Sequence, residues 1–140
     1  MGSLHRRRRK ERNRGRREAE RAWEAAERGD LEEAERSIRR AVEKHEEDPV
    51  LWNDLGLILW RRGKLRESEK SLRAALALRP EYEEAKANLA SLLGSRGFFR
   101  QALRLEEELA RSDSLRREFH ERKSEEYRDA IRRLGEEEGG

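Results

Sequence analysis

Three glycines, Gly29, Gly63 and Gly97, stand 34 residues apart, and each is followed two residues later by a large apolar side chain, Leu31, Leu65 and Phe99. Ala34, Ser68 and Ala102 keep the same interval and are all small. Ile38 matches Leu72 and Ala41 matches Ala75, before the third copy departs with Glu106 and Leu109. A fixed period of this length marks a chain that uses one supersecondary unit several times, each copy covering the apolar side of its neighbour. The period constrains the fold more than composition does. Charged residues make up 46% of the 140 and hydrophobic ones 34%, a balance that alone would leave disorder open. Stacked helix pairs need only a narrow apolar stripe on each helix, so this composition suits a helical solenoid better than a single globular core.

Local spacing supports the same cut. Trp52, Leu55, Gly56 and Leu59 fall at i, i+3, i+4 and i+7, one stripe of a helix, and Leu65, Ser68, Leu72 and Ala75 supply the stripe of the next. The small residues Gly56, Ser68 and Ala75 would let the two helices approach closely. Asp30 with Glu33 has the form of a capping box, and Asp48-Pro49 reads as an N-cap followed by proline at the first helical position. Pro80 marks a break. The expected helices are 17–28, 31–45, 49–62, 65–78, 82–95 and 98–111, with a seventh over 114–134 that presents Leu115, Phe119, Tyr127, Ile131 and Leu134 as its apolar face.

The middle copy, Trp52-Asn-Asp-Leu55-Gly56-Leu-Ile-Leu59 followed by Ser68, Leu72, Ala75 and Pro80, closely resembles the tetratricopeptide repeat. Leu59, Ser68 and Leu72 stand where that family usually has an aromatic, an alanine and a phenylalanine, and each keeps an apolar or small residue in place. The first copy retains Ala22, Ala25, Gly29, Ala34 and Ala41, and the third Leu89, Ala90, Leu93, Gly97 and Ala102. The resemblance covers roughly residues 18–112. It implies an all-α solenoid with repeats over about 18–48, 49–82 and 83–113, and a capping helix over 114–134. Residues 1–17 form a basic arm outside this domain, and residues 135–140 a flexible tail.

The net charge of +3 conceals an asymmetry. Arg6, Arg7, Arg8, Arg9, Lys10, Arg12, Arg14, Arg16 and Arg17 face only Glu11 within the arm, which leaves the rest of the chain at −5. Such an arm could contact nucleic-acid phosphates, an anionic membrane surface or an import receptor, or simply solvate the chain. With no cysteine there is no disulfide framework, thiolate metal site or thiol nucleophile, and no apolar run is long enough to span a membrane. A cytoplasmic protein is expected.

Catalytic chemistry is not signalled. His5, His45 and His120 share no position of the repeat and read as solvated. Glu32-Glu33, Glu46-Glu47-Asp48 and Glu106-Glu107-Glu108 sit beside arginines and read as surface ion pairs, with no buried carboxylate among them. No phosphate-binding loop, dinucleotide fingerprint, zinc spacing or nucleophile elbow occurs. No cofactor, metal or small-molecule substrate is expected. The resemblance implies instead that the first helix of each repeat lines a concave face for a protein or peptide. The residues beside the core stripe are Asn53, Leu57, Trp60 and Arg61, with Asn88 and Ser91 in the following copy, a set able to grip a peptide. The clamp by which some tetratricopeptide repeats hold the carboxylate of a chaperone tail is not intact, since Ala19, Trp23 and Asp54 occupy positions where it uses lysine or asparagine.

Overall fold

The computed structural model describes residues 2–139, with side chains described through residue 135. Among the described residues the secondary structure is helical throughout: α1 (Gly2–Glu27), α2 (Leu31–Lys44), α3 (Pro49–Arg61), α4 (Leu65–Leu78), α5 (Glu83–Ser95), α6 (Phe99–Ser112) and α7 (Arg117–Gly139). The inner boundaries fall within a residue or so of those expected from the sequence. The starts of α2 and α3 are set by capping aspartates. Asp30 accepts from the Glu33 amide at 3.0 Å, and Asp48 accepts from the Val50 amide at 2.9 Å with Pro49 opening the helix behind it.

The helices group into two compact units, Met1–Pro80 and Glu81–Gly140. In the first, α2 packs between α1 and α3, and α3 pairs with α4. In the second, α6 packs against both α5 and α7.

The 34-residue period has a clear conformational origin. Gly29, Gly63 and Gly97 adopt φ of 86°, 76° and 82°, the left-handed region that a side chain disfavours. At each turn the amide of the residue after the glycine reaches back five residues, Asp30 to Ala25, Lys64 to Leu59 and Phe98 to Leu93, all at 2.9 Å. The glycine amide bonds the carbonyl three residues before it. These are three copies of one helix-terminating motif. Behind them the repeating positions are buried in every copy: Ala34, Ser68 and Ala102; Ile38, Leu72 and Glu106; Ala41, Ala75 and Leu109.

Close approach of α3 and α4 depends on small residues, as the sequence suggests. A Cβ added to Gly56 would lie 2.8 Å from Leu72 Cγ, and Ser68 Oγ donates to the Gly56 carbonyl at 2.6 Å. The first unit also buries the Glu35 carboxylate among cations. It accepts from Arg39 at 2.9 Å and Arg62 at 3.1 Å, and Lys64 lies 3.0 Å away, so α2 is tied to the α3–α4 turn.

Both ends depart from expectation. The arm is not a separate segment: α1 runs unbroken from Gly2 through residue 27, because Arg, Lys and Glu favour helix and no proline interrupts them. Gly15 is buried within it. The corresponding Cβ would meet His45 Cδ2 at 2.7 Å and Leu51 Cδ1 at 3.2 Å, so the missing side chain lets α1 lie against the start of the second repeat. Arg16 Nε sits 4.0 Å from the buried Asp48 carboxylate beside this contact. At the other end α7 continues to Gly139 through the segment expected to be a flexible tail, whose glutamates favour helix. Gly140 lies outside the described residues.

The α7 face also differs from the one read in the sequence. Leu115 precedes the helix and is 97% exposed, and Phe119 and Leu134 are exposed too. The side that packs inward carries His120 and Ser124, both buried, followed by the half-buried Tyr127 and Ile131. Tyr127 and Ile131 belong to the expected face, and His120 and Ser124 join them inside because their polar side chains are hydrogen-bonded internally.

Candidate functional site

In the first unit the expected groove residues lie on α3, a helix whose packed arc is wide. Leu51, Asn53, Leu55, Gly56, Ile58 and Leu59 are all buried, against α1, α2 and α4. Leu57 and Trp60 are half-buried and Arg61 is exposed, so these three present a surface. Asn53 does not: at 1% exposure it belongs to the interior, and the breadth of the packed arc is what removes it from the solvent side.

α1 contributes a further residue, Trp23. The Arg61 guanidinium stacks over the Trp23 ring, 5.0 Å from its centroid, while the ring rests partly on the core of α1, α2 and α3. A cation above an indole face is a favourable contact, and it holds a long side chain in one orientation. The candidate patch of the first unit is therefore Trp23 with the Arg61 stacked on it, together with Leu57 and Trp60 on the same stretch of α3. Trp52 belongs elsewhere, since its indole N–H donates to the Glu46 carbonyl at 2.7 Å and it packs on the core.

In the second unit Asn88 and Ser91 lie three residues apart on α5, the first half-buried and the second exposed. Two further features there went unread in the sequence. The first is a buried polar cluster. His120 Nδ1 lies 2.6 Å from Glu106 Oε2 and its Nε2 lies 3.3 Å from Asp113 Oδ2, and the ring is 1% exposed. Ser124 Oγ donates to the His120 carbonyl at 2.8 Å. The ring is thus held between two carboxyl groups, one against each nitrogen. Burial pushes the Glu106 carboxyl above its usual range, with the hydrogen bond to His120 acting in the opposite sense. For Asp113 burial is outweighed by hydrogen bonds from His120 and the Arg116 amide, and its carboxyl is lowered.

The reading of His45 and His120 as solvated is thereby corrected, as is that of Glu106 as a surface acid. His45 is buried where Gly15 crosses it. Glu106 had a visible signal, because it occupies the core position of Ile38 and Leu72. A charged group there requires a buried partner. The cluster fastens α7 to α6. Among the described residues no group of three His, Asp or Glu is arranged to hold a metal ion, and no helix is long and apolar enough to cross a membrane.

The second feature is an open groove of about 320 Å³ between the start of α6 and the end of α7, lined by Phe98, Phe99, Arg100, Ile131 and Leu134. Arg96 stacks on the exposed Phe98 at 4.9 Å. The basic residues Arg6, Arg7, Arg8, Arg9, Lys10, Arg12 and Arg14 are all exposed along the first half of α1.

The tetratricopeptide-repeat family model matches residues 19–83. No curated protein matches the chain in sequence. Solved structures of that fold superpose on it. The first tetratricopeptide-repeat domain of Spaghetti (RPAP3), bound to an HSP90 peptide, does so with a TM-score of 0.74 at 17% identity, over 86% of this chain and 93% of that one. Yeast Tom70 gives a TM-score of 0.80 at 19% identity over 91% of this chain and 26% of its own. The second such domain of human RPAP3, in complex with an HSP70 peptide, gives 0.70 at 17% identity over 79% and 92%. The chain has the tetratricopeptide-repeat fold, all-α and without strands among the described residues.

Proposed function

We propose that this chain, whose residues 19–83 carry the tetratricopeptide repeat, is a non-catalytic protein-binding module that takes a peptide or a helix on the α3 face of its first unit. The observation that carries this reading is the patch of Trp23, Leu57, Trp60 and Arg61. Its indoles are half-buried, so they are already ordered, and the cation is held by stacking instead of ranging free. Preordered aromatic and arginine side chains are the usual anchors of interfaces, because little rotamer entropy remains to be lost on binding. The peptide complexes among the structural neighbours lend support at the level of the fold. With Ala19, Trp23 and Asp54 at clamp positions, the ligand is held by side-chain packing on the indoles and not by capture of a terminal carboxylate.

The test is selection of binders to the intact chain from a random twelve-residue peptide library, followed by titration monitored through tryptophan fluorescence. Leu57→Ala with Trp60→Ala should weaken selected peptides at least tenfold while the helical content stays that of the parent. Peptides that bind the double variant as tightly as the parent would exclude this face.

A further inference from the structure

The first half of α1 is a preformed helix with positive charge on every side, and we propose that it enters the major groove of B-form double-stranded DNA and binds there through phosphates, without sequence preference. This surface is separate from the α3 patch and does not depend on it.

Three observations carry the proposal. First, the arm has a shape. It is helical from Gly2, all of residues 2–14 are exposed, and it continues without a break into a segment held to the body by Gly15 against His45 and Leu51. Thirteen helical residues span about 20 Å with a diameter of about 10–12 Å. The B-form major groove, about 12 Å wide, admits such a rod.

Second, the charge encircles the helix. Arg6, Arg7, Arg8 and Arg9 point about 100° apart and together go all the way round, and Lys10, Arg12 and Arg14 fill in between. A helix lying on a flat anionic surface needs cations on one side only. A helix in a groove has phosphates on both flanks, and charge on every side is what that position rewards. None of these seven makes an ion pair among the described residues, whereas Arg16, the next cation along, faces Asp48.

Third, the alternatives lack their requirements. An interfacial membrane helix needs an apolar face, and Leu4 is the only large apolar residue between positions 2 and 18. The major groove of A-form RNA is deep and narrow, closed to a helix of this girth. Single strands are gripped by aromatic stacking, and the arm has no aromatic ring of Phe, Tyr or Trp type before Trp23.

The experiment is fluorescence anisotropy of the full chain with a labelled 20-base-pair DNA duplex of arbitrary sequence, at NaCl concentrations from 50 to 200 mM. Affinity should fall at least a hundredfold across that range, with a log–log slope of about 0.9 per phosphate contacted. Arg6→Gln, Arg7→Gln, Arg8→Gln and Arg9→Gln combined should weaken binding more than tenfold and flatten the slope by up to about 3.6. Asn13→Pro keeps every cation but breaks the helix, and should weaken binding at least tenfold while Asn13→Ala leaves it unchanged. Circular dichroism verifies that Asn13→Pro loses only the arm's helix. Equal affinity of Asn13→Pro and the parent would overturn insertion as a helix. Tighter binding to a 20-base-pair RNA duplex, to single-stranded DNA, to phosphatidylserine vesicles or to polyglutamate would overturn the choice of partner. Trp60→Ala should bind the duplex as the parent does, which keeps this test independent of the α3 patch.

Discussion

The two terminal helices, α1 and α7, solve the same problem in opposite ways. Each is the outermost helix of its unit, and among the described residues neither fully buries a large aliphatic side chain. The buried residues of α1 are Gly15, Ala19, Ala22, Ala25 and Ala26, side chains so short that the helix backbone itself makes the contact. α7 packs through His120 and Ser124, whose hydrogen bonds leave few ways to sit. A stripe of alanine gives close approach and permits the helix to extend outward as a charged rod. A polar cluster gives orientation at the cost of desolvating charge. The lesson is that the end of a repeat array need not be covered by oil: proximity or directionality can each do it.

The largest effect that would sharpen this comparison is expected at His120. His120→Ala leaves Glu106 buried without its partner and should destabilise the second unit by about 3–5 kcal/mol, seen as a lower denaturation midpoint and faster amide exchange along α7. Replacing Glu106 by Leu and His120 by Phe together should recover much of that loss. If the single variant costs under about 1 kcal/mol, the cluster does not hold α7.

The alanine stripe should fail more gently. Gly15→Leu drives a side chain into His45 and Leu51 and costs about 1–3 kcal/mol by overpacking, offset by roughly 1 kcal/mol of helix propensity. Chemical denaturation should place it below the parent. A variant more stable than the parent would mean that α1 does not rest on the second repeat.

The smallest effect separates the buried carboxylates of the two units. Glu35 is pushed up by burial but pulled further down by hydrogen bonds from Arg39 and Lys64, so its folded pKa lies below the ordinary 4.5. Its contribution is present above that value and is lost as pH falls through the folded pKa. Glu106 is raised, so its protonated form is favoured in the fold, and that contribution is lost as pH rises through the folded pKa. Between pH 6 and about 3, Glu35→Gln should make the decline in stability shallower and Glu106→Gln steeper. Denaturation midpoints measured at several pH values, with the same slope for both variants, would contradict the opposed signs.

The repeat itself was legible because its signals are local. A left-handed glycine, a capping aspartate and a helical stripe each act within a few residues, and the boundaries of α2 to α6 follow from them. The ends were misread because their determinants are distant. Nothing near Gly15 announces that His45, 30 residues on, will cover it. Asn53 was assigned to the surface by its place in one helix, whereas its burial depends on how many helices surround α3. Glu106 was readable in retrospect, since an acid at the position of Ile38 and Leu72 calls for a partner, but no rule of spacing names His120 as that partner.

The three glycine turns have a consequence in terms of handedness. A Cβ at Gly29, Gly63 or Gly97 would meet nothing within 4 Å, so space is not what keeps these positions bare. An L-alanine there is opposed by chirality alone, at about 1–2 kcal/mol. Its mirror image is at home in that conformation, and a D-alanine at each turn, introduced by chemical synthesis, would restrict the unfolded chain and add about 0.4–1 kcal/mol of stability. The chain's period is, at bottom, three places where an L-polypeptide needs a residue that has no hand.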